Sequence, residues 1–198
     1  MKLRVPHPLW ILSAALVLGV VAIALQVGIE IHRQQTAIAI IRRLQGSFET
    51  QQIGPEWLLE WLGDDVAEQL VTVVEFSLDG SAVTDRDLDA ICALTNVESV
   101  TLSRTDISDA GLQRLRGLTR LRILSLDHTS VTDQGLEHLT GLTNLEELSL
   151  GGTRITDVGL AQLATLPSLQ ELSIWKTSIT DARVAALRRS SPELRVYR

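Results

Sequence analysis

The chain has 198 residues, 45% of them hydrophobic but only 4% aromatic, and a formal net charge of −6. Its single cysteine, Cys92, excludes an intrachain disulfide and a cysteine-built metal site, so stability has to come from packing. Charge is divided along the chain: residues 1–50 hold five basic against two acidic residues and the remainder 13 against 22. The acidic part is a poor match for nucleic acid, whose binding rests on clustered Lys and Arg.

Residues 1–8 form a basic N-terminus with Lys2 and Arg4. From Leu9 to Ile29 the run LWILSAALVLGVVAIALQVGI carries no charge. As a helix it spans about 31 Å, so the sequence predicts a transmembrane signal anchor over 9–29, with Trp10 at the interface. The competing reading is a secretory signal cleaved after Ala24, because Lys2 and Arg4 precede the apolar run and Ala22-Ile23-Ala24 resembles a small-residue cleavage site. The nearness of Lys2 and Arg4 to the span places the N-terminus inside and the remainder outside, which describes a single-pass cell-membrane protein with its main domain extracytoplasmic.

Residues 30–54 read as a juxtamembrane stalk. Ile31, Ile38, Ile41 and Leu44 share one face at helical spacing, suited to packing on the adjoining domain or to lying on anionic lipid. Gly46 ends that helix. Over 55–69 a second helix is expected, with Pro55 at its first position and Trp57, Leu58, Trp61 and Leu62 on its apolar face. It serves either as a cap on the domain that begins at Leu70 or as an aromatic partner-binding groove.

From Leu70 to Arg189 the sequence repeats every 24 residues, in five units that begin at Leu70, Leu94, Leu118, Leu142 and Leu166. The fourth, seventh and ninth positions are always apolar, and the last two alternate as a strand requires; the fourth unit, for example, has Leu145, Leu148 and Leu150. Apolar residues at the nineteenth and twenty-second positions, such as Leu136 and Leu139, have the spacing of a helical turn. Each unit is therefore a strand, a bend and a helix that bury their apolar sides only against a neighbour. The twelfth position (Ser81, Thr105, Thr129, Thr153, Thr177) predicts a ladder of hydroxyls satisfying backbone in the bend. Before each helix stand a Ser or Thr suited to capping and an Asp suited to the helix dipole: Thr84-Asp85, Ser108-Asp109, Thr132-Asp133, Thr156-Asp157 and Thr180-Asp181. Gly111, Gly135 and Gly159 at the eighteenth position predict close packing there, with Asp87 and Arg183 as exceptions in the terminal units.

These residues resemble the leucine-rich-repeat family, in the variety with a T-D-x-G-L segment, here Thr132 to Leu136 and Thr156 to Leu160. The resemblance covers 70–189 and implies an α/β solenoid of short parallel strands and helices; residues 190–198 are then a C-terminal cap. The whole layout is also similar to bacterial single-span membrane-anchored leucine-rich-repeat proteins. They share a basic I-R-x-L-x-G stretch, here Ile41 to Gly46, and a W-L-rich cap ending in Gly63-Asp64-Asp65. Such a resemblance fixes architecture better than activity. A substrate adaptor analogous to F-box repeat proteins is a remote alternative, since no F-box-like segment precedes the repeats.

Signals of catalysis are weak. The row of repeat aspartates offers one carboxylate per unit, too few for a calcium site. His7, His32, His128 and His138 form no HExxH pair, and Gly151-Gly152 lacks the lysine of a phosphate loop. The sequence thus predicts no enzyme, no cofactor and no metal. The remaining candidate is the outward strand face, where Arg104, Asp127, His128, Glu147, Glu171, Trp175 and Lys176 are the expected contacts for a protein or peptide ligand. Trp175 either stands out as a hot spot or folds over the C-terminal cap with Pro192, Leu194 and Tyr197. In the first case the chain is a membrane-anchored interaction module; the alternative is a membrane-tethered spacer with no dedicated ligand.

Overall fold

The computed structural model describes residues 8–52, residue 60 and residues 71–198. Its first element, α1 (Pro8–Arg43), is followed by β1 (Ser47–Gln52) and β2 (Val71–Ser77). Five helix–strand pairs come next: α2 (Leu88–Ile91) and β3 (Ser99–Thr101), α3 (Asp109–Leu115) and β4 (Ile123–Ser125), α4 (Asp133–Leu136) and β5 (Glu147–Ser149), α5 (Asp157–Leu163) and β6 (Glu171–Ser173), and α6 (Asp181–Ser190) and β7 (Arg195–Tyr197). The strands form one sheet in sequence order, with β1 antiparallel to β2 and every later pair parallel. From β2 onward the register advances by one repeat per strand, as in Leu124↔Leu148 and Leu148↔Leu172. This is the solenoid of parallel strands and helices that the 24-residue period implies.

The period dictates what is buried. Leu118, Leu121, Leu124, Leu126, Val131, Leu136 and Leu139 of the third unit are all 1% exposed or less. Each such side chain contributes roughly 1.5–3 kcal/mol of burial, shared with its neighbours above and below.

Among the described residues no helix is long and apolar enough to cross a membrane. This corrects the transmembrane anchor expected over 9–29. With it go the likeness to single-span anchored proteins, the membrane as a partner, the single-pass localisation with extracytoplasmic repeats, and the membrane-tethered spacer. The physical reason lies in where the helix goes. α1 does not stop with the apolar run but continues through Glu30, His32, Arg33, Gln34 and Gln35 to Arg43. Its C-terminal turns belong to the repeat core: Ala37 and Ile41 are fully buried, and Ile38 and Leu44 pack against the same cluster. Most side chains of the 9–29 run lie outside the described residues, as does the helix expected over 55–69, with Trp57 and Trp61, apart from residue 60.

The N-terminal edge of the solenoid is covered by α1 and β1. α1 ends in a Schellman turn, in which the Gln45 and Gly46 N–H groups donate to the carbonyls of Arg42 (3.0 Å) and Ile41 (2.9 Å), with Gln45 left-handed at φ 58°. Gly46 is required by close approach, because a Cβ there would lie 2.6 Å from the Ser77 carbonyl oxygen. Arg43 then pairs with Asp87 at 2.7 Å, tying α1 to the first unit.

At the other end β7 continues the period, with Arg195-Val196-Tyr197 in register with Glu171-Leu172-Ser173. Arg188 donates to the Val196 carbonyl at 2.9 Å and Arg198 donates to Ile179 O at 2.8 Å and pairs with Asp181. These bonds occupy a carbonyl of the last strand and the last aspartate of the row.

Candidate functional site

The bend after each strand is built by three recurring bonds. The ninth-position N–H donates to the eighth-position carbonyl of the next unit, as Leu126 does to Ser149 at 2.9 Å. The eleventh-position N–H donates to the tenth-position carbonyl of the next unit, as His128 does to Gly151 at 2.7 Å. The twelfth-position hydroxyl donates to its own unit's ninth carbonyl, at 2.6 Å for Thr105 and 2.7 Å for Thr129. From the second unit on, the hydroxyls therefore close each bend separately instead of bonding one another.

This geometry makes every eleventh residue left-handed: Gly80 and Gly152 at φ 65° and 67°, and Arg104, His128 and Lys176 at 56°, 55° and 52°. Glycine fits that backbone freely, whereas a side chain there costs roughly 1–2 kcal/mol. Three of the sequence-predicted contacts thus occupy strained positions and project outward, all three exposed.

The structure divides the seven predicted residues into groups. Trp175 lies back across the fourth unit: a Cβ on Gly151 would stand 2.0 Å from its Nε1. Its ring meets His128 edge-on at 4.8 Å between centroids, and Lys176 Nζ stands 5.3 Å over it. The indole therefore neither stands free nor folds over the C-terminal cap; it is a half-buried brace resting on the glycine shelf. Asp127 is committed internally, its Oδ1 accepting from Ser149 Oγ and Gly151 N–H, both at 2.6 Å. Arg104 pairs with Asp79. Glu171 pairs with Arg195 at 2.7 Å, and that contact holds the Arg195 guanidinium above its ordinary pKa. Glu147 is exposed and makes no ion pair among the described residues.

Two further residues belong to this face: Ile123, which the period already places outward at a sixth position, and Tyr197, expected in the C-terminal cap. Ile123 is 39% exposed and Tyr197 51%. With Glu147 and Glu171 between them, over a floor of Ser125, Ser149 and Ser173, they bound a depression of about 230 Å³ on the sheet. The signal for Tyr197 was available, since it comes 24 residues after Ser173.

Elsewhere the polar groups are spent on structure. Each of the first four repeat aspartates accepts from the next unit's capping residue twice: Asp109 from Thr132 N–H at 2.8 Å and Thr132 Oγ1 at 2.7 Å, and likewise Asp85 from Ser108, Asp133 from Thr156 and Asp157 from Thr180. Cys92 is half-buried, and desolvation pushes its thiol up to about 12. Among the described residues no group of three His, Cys, Asp or Glu stands close enough to hold a metal ion, and nothing indicates a catalytic group.

A family model described as leucine rich repeat matches residues 119–179, the third and fourth units and most of the fifth. No curated protein matches the chain. Among solved structures the chain is similar to an internalin from Listeria monocytogenes, at 18% identity and a TM-score of 0.40 over 55% of this chain and 36% of that one. It is similar to a leucine-rich-repeat protein from Leptospira interrogans, at 19% identity and 0.43 over 54% and 26%. A third similar structure is the leucine-rich-repeat ectodomain of the receptor kinase SOBIR1 from Arabidopsis thaliana, at 12% identity and 0.49 over 84% and 91%. The chain spans about a third of the first of these proteins and about a quarter of the second, and no functional residue is carried over from any of them. The repeat affinity therefore rests on the matched units and on the period itself.

Proposed function

We propose that the chain is a non-catalytic interaction module that takes a protein or peptide on the outward face of its parallel sheet, with Arg104, Asp127, His128, Glu147, Glu171, Trp175 and Lys176 around the contact. The observation that carries this reading is the depression over β4 to β7, where Ile123 and Tyr197 stay exposed in a solenoid that buries nearly every other large apolar side chain of its repeats. Apolar side chains held open beside charged rims are what binding surfaces use. Left-handed Arg104, His128 and Lys176 add support, because strain retained at exposed positions is common at ligand-contacting sites.

The test is site-specific photo-cross-linking in the full chain, comparing a photoreactive residue at Ser149 on the strand face with one at Val158 on the helix side. Partner adducts confined to the strand-face probe are expected. Adducts from the helix side alone, or from both probes equally, overturn the reading.

A further inference from the structure

The chemistry of the partner is set by the order of side chains across the depression, given the strand-face reading proposed above. Sixth-position residues stand side by side on neighbouring strands: Ile123 beside Glu147, Glu147 beside Glu171, and Glu171 beside Arg195. Strand spacing puts neighbours about 4.8 Å apart, so two carboxylates face each other at the centre of the row, an arrangement that is destabilising in a sheet. Arg195 compensates Glu171 from one side. Glu147 has an aliphatic neighbour on its other side; Arg122 acts on it only through space, its ion pairs going to Glu98 and Glu146, and Glu147 makes no ion pair among the described residues. A cation arriving between the two carboxylates removes that repulsion. The serine floor admits a backbone close to the sheet, and Ile123 and Tyr197 offer apolar surface at the two ends.

Distances set the spacing of the ligand. From Ile123 to Tyr197 is three strand steps across the sheet, about 14 Å, and two residues along it, about 7 Å, so about 16 Å in all, with the carboxylate pair between them. In an extended peptide, same-side residues recur every two positions, about 6.8 Å, so residues i, i+2 and i+4 span about 13.6 Å. We infer that the strand face recognises an extended peptide segment running across the strands, with an apolar residue at i on Ile123, a Lys or Arg at i+2 between Glu147 and Glu171, and an apolar residue at i+4 against Tyr197.

The experiment is fluorescence anisotropy of the full chain with three labelled peptides: glycine-flanked Leu-Ser-Lys-Ser-Leu, its Lys-to-Glu version and its Leu-to-Ser version. The first is expected to bind at least about tenfold more tightly than either other, and Glu147→Lys and Ile123→Ser each to weaken it about tenfold, with unchanged far-UV circular dichroism. Equal binding of the acidic version, indifference to Glu147→Lys, or no binding of any of the three overturns the inference. Failure here leaves the strand-face reading to be judged by where the cross-links form, so the two failures are distinguishable.

Discussion

A Cβ placed on Gly135 would stand 2.3 Å from Oδ1 of Asp109, the same oxygen that accepts the Thr132 N–H at 2.8 Å. The aspartate of one unit thus occupies the space the next unit keeps free with glycine, and the pair recurs as Asp85 with Gly111 and Asp133 with Gly159. The two exceptions obey the same logic. In the first unit Asp87 stands in the glycine's place and itself accepts from Thr84 N–H at 3.0 Å and Oγ1 at 2.7 Å. The last unit has Arg183 there, and Thr180 caps from ψ 152° onto the Arg183 N–H, whereas Thr132 and Thr156 cap at ψ −179° and −173° onto residues 134 and 158. Gly135→Ala should destabilise the fold by about 1–3 kcal/mol through overpacking, and Asp109→Ala by a similar amount through the unpaired Thr132 groups. In urea denaturation the double variant should cost clearly less than the sum. Additive costs would mean that the clamp and the glycine are independent.

The same clamp gives the fold an acid limit. Hydrogen bonds from Thr180, first from its backbone N–H, hold the Asp157 carboxyl below its ordinary value of 3.8; those from Thr84, with Arg43 nearby, do the same for Asp87. A carboxyl whose folded pKa is depressed adds stability above its unfolded pKa and loses it as pH falls through the folded one. Melting curves of the wild type and of Asp157→Ala should therefore differ most near neutrality and converge below about pH 4. A gap that persists unchanged into acid would show that the ionised carboxylate is not what stabilises this junction.

Much of this was legible from sequence because it repeats: strand positions, helix positions, the Ser or Thr caps and the outward rows are all set by the 24-residue period. What the period hides is contact between units. Asp109 reads as serving its own helix, yet its bonds go to Thr132, and only three-dimensional stacking shows that Gly135 exists to admit it. Trp175 reads as outward by position, but Gly151, one unit earlier, gives it a place to lie. At the N-terminus no period operates. There an apolar run reads as a membrane span, while the chain continues it as one helix whose far end, at Ala37 and Ile41, closes the core.

The bend hydroxyls offer a contrast within one ladder. Thr129 Oγ1 satisfies the Leu126 carbonyl, whereas Ser81 Oγ in the first unit is buried without a partner among the described residues. Thr129→Val should cost about 1 kcal/mol through a lost hydrogen bond at nearly constant volume. Ser81→Ala should be neutral or stabilising, because it removes a polar atom that gains nothing from burial. Chemical denaturation of the two variants decides the matter, and a larger loss for Ser81→Ala would reverse the assignment.

Cys92 should be a silent thiol. With its pKa near 12 instead of the ordinary 9.0, the thiolate fraction at a given neutral pH falls roughly a thousandfold. Iodoacetamide labelling at about pH 8 should be correspondingly slow in the folded chain and fast in urea. Rapid labelling under native conditions would mean that the helix bearing Cys92 opens readily.

Trp175 can be tested as a brace and as a contact at once, because Gly151→Ala displaces the indole without removing it. A methyl group 2.0 Å from Nε1 forces the ring off its shelf and away from His128. If the ring stabilises the fourth bend, Trp175→Ala and Gly151→Ala should each cost about 1–2 kcal/mol, and the double variant little more than one of them. A displaced indole is also more exposed than in the native bend. Strand-face binding that weakens with Trp175→Ala but strengthens or holds with Gly151→Ala then identifies the ring as a direct contact. Equal weakening by both makes it a support that positions His128 and Lys176 for the partner.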